Sequence, residues 1–165
     1  MTPMDTKKHI ISALVVNHPG VLAHMAGLFS ARGFNIDSLA VGETEQPDFS
    51  RMTIVVAGDE AILEQVRKQI GKLIDVVKVQ DFSDTRCVER DLALMRVHAP
   101  VNKRGEILEL VEIFRARVVD VGRTELMIEL SGGEEKIEAV LDLLRPYGIR
   151  EMARTGRIAL ARALQ

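Results

Sequence analysis

The sequence predicts an α+β protein made of two ferredoxin-like βαββαβ units. In the first half, apolar residues switch between strand-like and helix-like spacing in the order strand, helix, strand, strand, helix, strand. The same order recurs in the second half, as a repeat of pattern rather than of sequence identity. The length of 165 residues accommodates two such units of roughly 70 to 80 residues each. We therefore predict one domain over residues 1–82 and a second over residues 83–165.

The first strand and the first helix carry the clearest signals. Residues 9–17 (HIISALVVN) form a short, β-branched and uncharged run, which is typical of a strand buried on both faces. Apolar residues then repeat at helical spacing from Val21 to Arg32. Gly33 follows at the position where a left-handed residue commonly ends a helix.

The rest of the first unit is predicted to be a hairpin, a helix and a strand. A polar turn containing Pro47 closes the hairpin. Asp59 is a candidate N-cap for the second helix, whose apolar residues fall on one face. The predicted elements are strands at 34–44 and 50–58, a helix at 59–73 and a strand at 73–82.

The second unit follows a polar segment, residues 83–90, and repeats the order of the first. Its final residues, 157–165, are expected to form either a short helix or a frayed tail. The predicted elements are strands at 91–99, 118–124, 125–132 and 149–156, with helices at 103–117 and 134–148.

The sheet face opposite the helices needs a cover of its own if its strands are buried on both sides. Pairing of two identical chains protects such a face and its edge strands, so we expect a homodimer. The alternative is that the second unit covers the first within one chain.

Composition excludes several classes of partner. The formal net charge of −2, with mixed signs along the chain, provides no field for a nucleic acid or an anionic membrane. The apolar fraction of 47% suits a packed core, yet no uncharged run approaches the roughly 20 residues of a spanning helix. The start, MTPMDTKKHI, has no signal-peptide or transit pattern, so we expect a cytoplasmic protein.

The turn after the first strand is the candidate ligand site. Pro19 and Gly20 fix a tight turn that leaves the first N–H groups of the helix without partners, and such donors favour an anion. Gly20 lets a ligand carboxylate approach the backbone, and Asn17 offers an amide at the same place. Asn35 opens the second strand. The alternative is that both asparagines are ordinary turn residues.

Catalytic, metal and nucleotide sites are not predicted. The glycines have the wrong spacing for a dinucleotide or phosphate loop. No Ser-His-Asp or Cys-His pairing can be assigned, and Cys87 is expected to be an ordinary thiol. The histidines form no zinc-binding motif and are expected to be incidental; they are His9, His18, His24 and His98.

RNA binding is an alternative function for this topology, which also occurs in RNA-recognition modules. Those modules stack bases on aromatic side chains of their central strands. No aromatic residue lies centrally in the first or third predicted strand, and the net charge is slightly acidic. We therefore do not expect a nucleic-acid partner.

Four stretches make the sequence similar to a known family. They are the NHPGVL turn, the run GLFSARGFNIDSLAV, the strand and turn SRMTIVVAGDE, and VERDLALMRV farther on. Together they resemble the small, regulatory subunits of acetolactate synthase, also called acetohydroxyacid synthase. Within that resemblance, the first unit corresponds to an ACT domain, and the match spans nearly the whole chain.

The resemblance implies a protein without catalytic chemistry of its own. Such a subunit binds and activates a large catalytic subunit, which carries thiamine diphosphate, Mg²⁺ and FAD. It also confers feedback inhibition by a branched-chain amino acid, usually L-valine. A free-standing ACT-type amino-acid sensor acting on another enzyme is the alternative reading.

The resemblance also implies where the effector binds, which is between the ACT domains of two protomers. Carried onto this chain, one protomer would contribute the turn and the start of the helix, and the other the start of the second strand. His18-Pro19 departs from relatives that carry acidic or small polar residues in the turn. The implied effector residues are Asn17, Gly20, Val21 and Leu22 from one protomer, and Asn35 and Ile36 from the other.

Overall fold

A four-stranded antiparallel sheet with two helices forms the first unit. The computed structural model describes residues 7–163. Residues up to 88, together with those from 156 onward, cluster as this unit. The sheet has the strand order β2-β3-β1-β4. Its elements are β1 (Lys8–Val16), α1 (Val21–Arg32), β2 (Ile36–Glu43), β3 (Phe49–Ala57), α2 (Glu60–Gly71) and β4 (Val76–Asp81).

The core of the first unit lies between the sheet and its two helices. Alternate residues of β1 and β3 point toward the helices, as the two-residue period of a strand requires. The helices contribute residues three or four positions apart. The principal members are Ile11, Ala13 and Val15 of β1, Met52, Ile54 and Val56 of β3, Met25 and Phe29 of α1, and Leu63, Val66 and Ile70 of α2.

Both predicted helix boundaries in this unit are confirmed. Gly33 ends α1 in the left-handed region with φ 65°, and its N–H bonds the carbonyls of the last turn. Asp59 caps α2, since its side chain accepts a 2.9 Å hydrogen bond from the backbone N–H of Ile62.

The sheet face opposite the helices meets the last part of the same chain. Ser38 pairs with Val55, which lies on that face because its neighbours Ile54 and Val56 point into the helix-side core. The backbone N–H of Arg157 donates to Ser38 Oγ at 2.8 Å. The chain therefore supplies part of this cover itself, from residues that the sequence analysis assigned to the second domain. The homodimer stays a prediction.

A second antiparallel sheet with two helices forms the other unit, which covers residues 89–155. Its strand order is β6-β7-β5-β8, and β9 pairs with β5, whose first two residues cluster with the first unit. Alternate residues of β5 and β7 form a core with one face of α4. The elements are β5 (Cys87–His98), α3 (Val101–Ile113), β6 (Arg117–Val121), β7 (Glu125–Gly132), α4 (Glu134–Leu144) and β8 (Ile149–Arg154). The last strand, β9 (Ile158–Ala161), belongs to the segment that clusters with the first unit.

The predicted fold class is confirmed, whereas the predicted tail is wrong where the structure describes it. Residues 158–161 form a strand instead of a helix or a frayed end, and residues 164–165 lie outside the described part. Ala and Leu favour a helix, but pairing with β5 overrides that preference. Strand β5 also begins at Cys87, four residues earlier than predicted, in the segment expected to be a polar connection.

The third helix is displaced toward the N-terminus relative to its prediction. It begins at Val101, immediately after Pro100, whose φ of −63° and ψ of 157° are those of a residue preceding a helix. It ends at Ile113, and Arg115 then adopts a positive φ of 54° that redirects the chain into β6.

Among residues 7–163, no helix has the length and apolar character needed to cross a membrane.

Candidate functional site

The turn between β1 and α1 presents an electropositive helix end. Gly20 is the N-cap of α1, with φ 92°, and within the described chain no side chain caps this end. The first turn of α1, described in full, contains no acidic residue that would offset the helix dipole. Apart from the adjoining residues of the chain, no described atom lies within 4 Å of the position that a Cβ on Gly20 would occupy. A carboxylate can therefore approach these N–H groups.

Asn17 is fixed to the β2–β3 turn. Its backbone N–H donates to the carbonyl of Asp48 at 2.8 Å, and its Nδ2 donates to the carbonyl of Pro47 at 2.9 Å. The same Nδ2 lies 3.4 Å from Glu43 Oε2. The side-chain contacts use the NH₂ group of the amide, which is its donor. The Oδ1 atom is an acceptor and can therefore accept a hydrogen bond from an ammonium group.

The two apolar residues at the start of α1 differ in their exposure. The side chain of Val21 is 4% exposed and belongs to the core, so Val21 can offer a ligand its backbone N–H but little side-chain surface. Leu22 is 48% exposed beside it. Of the pair, Leu22 is the one whose side chain is available to an apolar ligand group.

Within one chain, the structure does not bring the two halves of the predicted site together. Gly20 and Asn35 flank the two ends of α1, a 12-residue helix, which places them about 18 Å apart. The sheet register agrees with this separation. Ile36 lies opposite Val56, near the start of β1, whereas the turn follows the end of β1. A small ligand touching both halves needs two copies of the chain.

Two histidines of this region share one carboxylate, a feature that sequence reasoning missed. Asp75 lies in the loop before β4 and is 8% exposed. Its Oδ1 lies 2.9 Å from His18 Nε2, and its Oδ2 lies 3.1 Å from His24 Nδ1. His24 and Asp75 are 51 positions apart, so no local sequence motif predicts this cluster.

The contacts in this cluster shift two pKa values. The hydrogen bond to the Pro19 carbonyl, followed by the charge of Asp75, raises the pKa of His18 above its ordinary value of 6.5, against an opposing effect of desolvation. The hydrogen bond from His24, followed by the charge of His18, lowers the pKa of Asp75 below its ordinary value of 3.8, again against desolvation. Both shifts favour an ion pair between His18 and Asp75.

Within residues 7–163, no three His, Cys, Asp or Glu side chains are grouped so as to hold a metal ion. His9 is buried, with its ring nitrogens 3.0 Å from Ser83 Oγ and 3.0 Å from the carbonyl of Gly58. These contacts explain its burial within the fold.

Comparison with known proteins gives a consistent result over both units. Residues 11–78 match the family described as the AHAS small subunit-like ACT domain, and residues 90–163 match the small subunit of acetolactate synthase. A protein of Archaeoglobus fulgidus named "Probable acetolactate synthase small subunit" is 59% identical over 94% of this chain and 97% of its own length. The acetolactate synthase small subunit of Mycolicibacterium smegmatis is 52% identical over 95% and 92%, respectively.

A solved structure agrees in fold as well as in sequence. The crystal structure of the acetolactate synthase small subunit from Thermotoga maritima superposes with a TM-score of 0.88 at 43% sequence identity. The match covers 96% of this chain and 99% of that one.

Proposed function

Because the chain belongs to the family of acetolactate synthase small subunits, we propose that it is the regulatory, non-catalytic partner of a large catalytic subunit. In this proposal the large subunit carries thiamine diphosphate, Mg²⁺ and FAD, and the small subunit raises its activity in the cytoplasm. Relatives that match over nearly their full length carry the small-subunit name, which supports the assignment of this partner. The resemblance noted from the sequence is thereby confirmed at the level of the family.

We further propose that the chain confers feedback inhibition by a branched-chain amino acid, with L-valine as the first candidate. The single observation that carries this proposal is the uncapped, glycine-initiated N-terminus of α1. The N–H groups near Gly20 would bind the effector carboxylate. The side-chain oxygens of Asn17 and Asn35 would accept from its ammonium group, and Leu22 and Ile36 would contact the branched side chain.

Symmetric pairing of β2 would complete this site. Strand β2 is an outer strand of the sheet, and its Leu39 and Val41 are 38% and 47% exposed. If β2 paired antiparallel with β2 of a second copy, the start of one strand would lie beside the end of the other. The end of β2 is Glu43, which contacts Asn17. Asn35 of one copy would then approach the turn of the other, as the predicted homodimer requires.

In the proposed mechanism, binding of the effector to this chain is coupled to catalysis in the large subunit. The dimer presents a surface that stabilises the active arrangement of the large subunit. An effector held between two copies shifts the way the copies pair and so weakens that stabilisation. Thermodynamic linkage requires the converse as well, so the active large subunit should weaken effector binding.

The first test is titration calorimetry of the purified full chain with L-valine. L-isoleucine and L-leucine are the comparators, and D-valine is the control because it is the enantiomer of L-valine. Saturable binding of L-valine, together with no detectable binding of D-valine, supports the proposed site.

The second arm uses the large subunit, purified separately. A rise in acetolactate synthase activity when the chain is added, reversed by L-valine, supports both halves of the proposal. If activity does not change, the chain is not an activator of this enzyme. If activity rises but L-valine, L-isoleucine and L-leucine all fail to lower it, the feedback role is wrong. Binding of an amino acid without any effect on the large subunit would favour the free-standing sensor.

A further inference from the structure

Asp75 joins three consecutive parts of the chain around the turn. Its backbone carbonyl accepts a 2.9 Å hydrogen bond from the N–H of Val16, the last residue of β1. Its carboxylate contacts His18 in the turn and His24 in α1 through different oxygens. The conformation of the turn is therefore tied to a single, largely buried residue of the loop before β4.

The geometry of His18 requires a proton on both of its ring nitrogens. Nδ1 lies 3.0 Å from the carbonyl oxygen of Pro19, and Nε2 lies 2.9 Å from Asp75 Oδ1. A carbonyl oxygen and an ionised carboxylate can only accept hydrogen bonds. A neutral imidazole carries one N–H and can satisfy only one of these contacts. Loss of the second proton must therefore release one of the two partners.

The contact with Pro19 acts directly on Gly20. The Pro19 carbonyl and the Gly20 N–H belong to the same planar peptide unit and point in opposite directions. Holding the carbonyl therefore fixes the direction of an N–H that lies at the proposed carboxylate site. Gly20 itself, with its positive φ and no Cβ, does little to restrict this peptide.

Within residues 7–163, few charged groups act on His18 and its partner Asp75. Asp75 is the charged group that acts on it, and His18 and His24 are the charged groups that act on Asp75. From the β2–β3 side, Glu43 reaches the neighbouring Asn17. The raised pKa of His18 and the lowered pKa of Asp75 agree with the ion pair that the hydrogen-bond geometry demands.

We propose that His18 and Asp75 are positioning residues of the effector turn, and that doubly protonated His18 holds the Gly20 N–H in its binding direction, so that effector affinity falls as His18 loses its proton. This inference rests on the proposed function, because it concerns the same turn. Feedback inhibition by the effector should therefore be stronger in slightly acidic solution than in alkaline solution.

The ion pair between His18 and Asp75 is tested without any effector. The pKa of the His18 ring is measured by NMR titration in the wild-type chain and in Asp75→Asn. The proposal requires the pKa of His18 to fall in the variant. An unchanged pKa of His18 overturns the proposal.

The functional test measures L-valine affinity at about pH 6 and about pH 8.5, on either side of the titration of a histidine. It uses the chain alone or, if binding requires it, the complex with the large subunit. If binding raises the pKa of His18 by one unit, wild-type affinity falls by about tenfold between the two conditions. His18→Gln should bind with the same affinity at both. The control is Asp142→Asn, an exposed carboxylate paired with Arg145, which should keep the wild-type pH dependence.

The outcomes separate this inference from the proposed function. Binding that does not vary with pH, or that varies equally in His18→Gln, overturns the inference and leaves the effector site intact. Absence of binding by any branched-chain amino acid at both pH values, in the chain and in the complex, overturns the proposed feedback role and this inference with it.

Discussion

The backbone N–H of Arg157 donates a 2.8 Å hydrogen bond to Ser38 Oγ, which ties the last described segment of the chain to the outer strand β2. Arg157 is 6% exposed, and Gly156 packs directly on the backbone of β2. A Cβ on Gly156 would lie against the carbonyl oxygen of Leu39. The strand that we propose for effector binding is therefore also the strand that contacts Gly156 and Arg157.

We predict that Gly156→Ala lowers the free energy of unfolding by about 1 to 3 kcal/mol, because backbone atoms cannot yield to the added methyl group as a flexible side chain would. Urea unfolding of the full chain measures the effect. The control is Gly27→Ala within α1, where, apart from the adjoining residues and the backbone of the helix itself, no described atom lies within 4 Å of the new Cβ. It should stabilise by about 0.5 to 1 kcal/mol, as expected for alanine in a helix. Equal effects of the two substitutions would contradict the packing at Gly156.

The local signals in the sequence were sufficient for the fold. In the first unit, the strand and helix periods, the cap at Asp59 and the terminating Gly33 all act through neighbouring residues, and they are found where expected. Local signals failed at residues 158–161, which become a strand because of a partner far away in sequence. They failed again at Asp75, whose two histidine partners are brought to it only by the folded chain.

The second unit contains an arginine that links two acidic side chains. Arg154 contacts Asp91 Oδ2 at 2.7 Å and Glu138 Oε1 at 2.7 Å, and Asp91 is largely buried. We predict that Arg154→Met lowers the free energy of unfolding by about 2 to 3 kcal/mol, because a buried carboxylate loses its arginine. The matched control is Arg145→Met, whose pair with Asp142 is exposed and should contribute less than about 0.5 kcal/mol. Thermal unfolding of both variants decides whether burial makes the difference.

Substitution of Gly20 tests the proposed carboxylate site. Gly20→Asp would place a negative charge where the effector's own must lie, so L-valine affinity should fall by at least about tenfold. Gly20→Asn is the control, because it imposes a similar backbone cost at φ 92° without the charge. Activation of the large subunit should persist in both variants. Calorimetry that shows full L-valine binding by Gly20→Asp would place the carboxylate elsewhere.

Stability should depend on pH through His18 and Asp75, with opposite signs. The pKa of His18 is raised by folding, so its contribution is complete below pH 6.5 and is lost as the pH rises through the raised value. The pKa of Asp75 is lowered, so its contribution is complete above pH 3.8 and is lost as the pH falls through the lowered value. The pair should therefore stabilise the fold most between these limits.

The measurement is urea unfolding of the wild-type chain and His18→Gln across this range. The difference in unfolding free energy between them should be largest in the weakly acidic region and shrink toward both ends. A difference that stays constant into alkaline solution would show that His18 acts without its charge.

The proposed contribution of two chains to one effector site leads to a further prediction. Asn35→Ala should weaken L-valine binding while the chain still dimerises, as checked by sedimentation. Loss of the dimer would instead give Asn35 a structural role. Because Gly20 and Asn35 lie at opposite ends of α1, each site of a two-fold dimer would take the turn from one copy and Asn35 from the other.

Mixing two defective variants should therefore restore binding. In a dimer of one Gly20→Asp copy and one Asn35→Ala copy, one site carries both substitutions and the other carries neither. Random exchange of copies makes half of the dimers mixed, so about one quarter of all sites should bind L-valine normally. Calorimetry of the exchanged mixture, compared with each variant alone, measures this fraction as the binding stoichiometry. If the site lies within a single chain, every copy in the mixture remains defective and no normal sites appear.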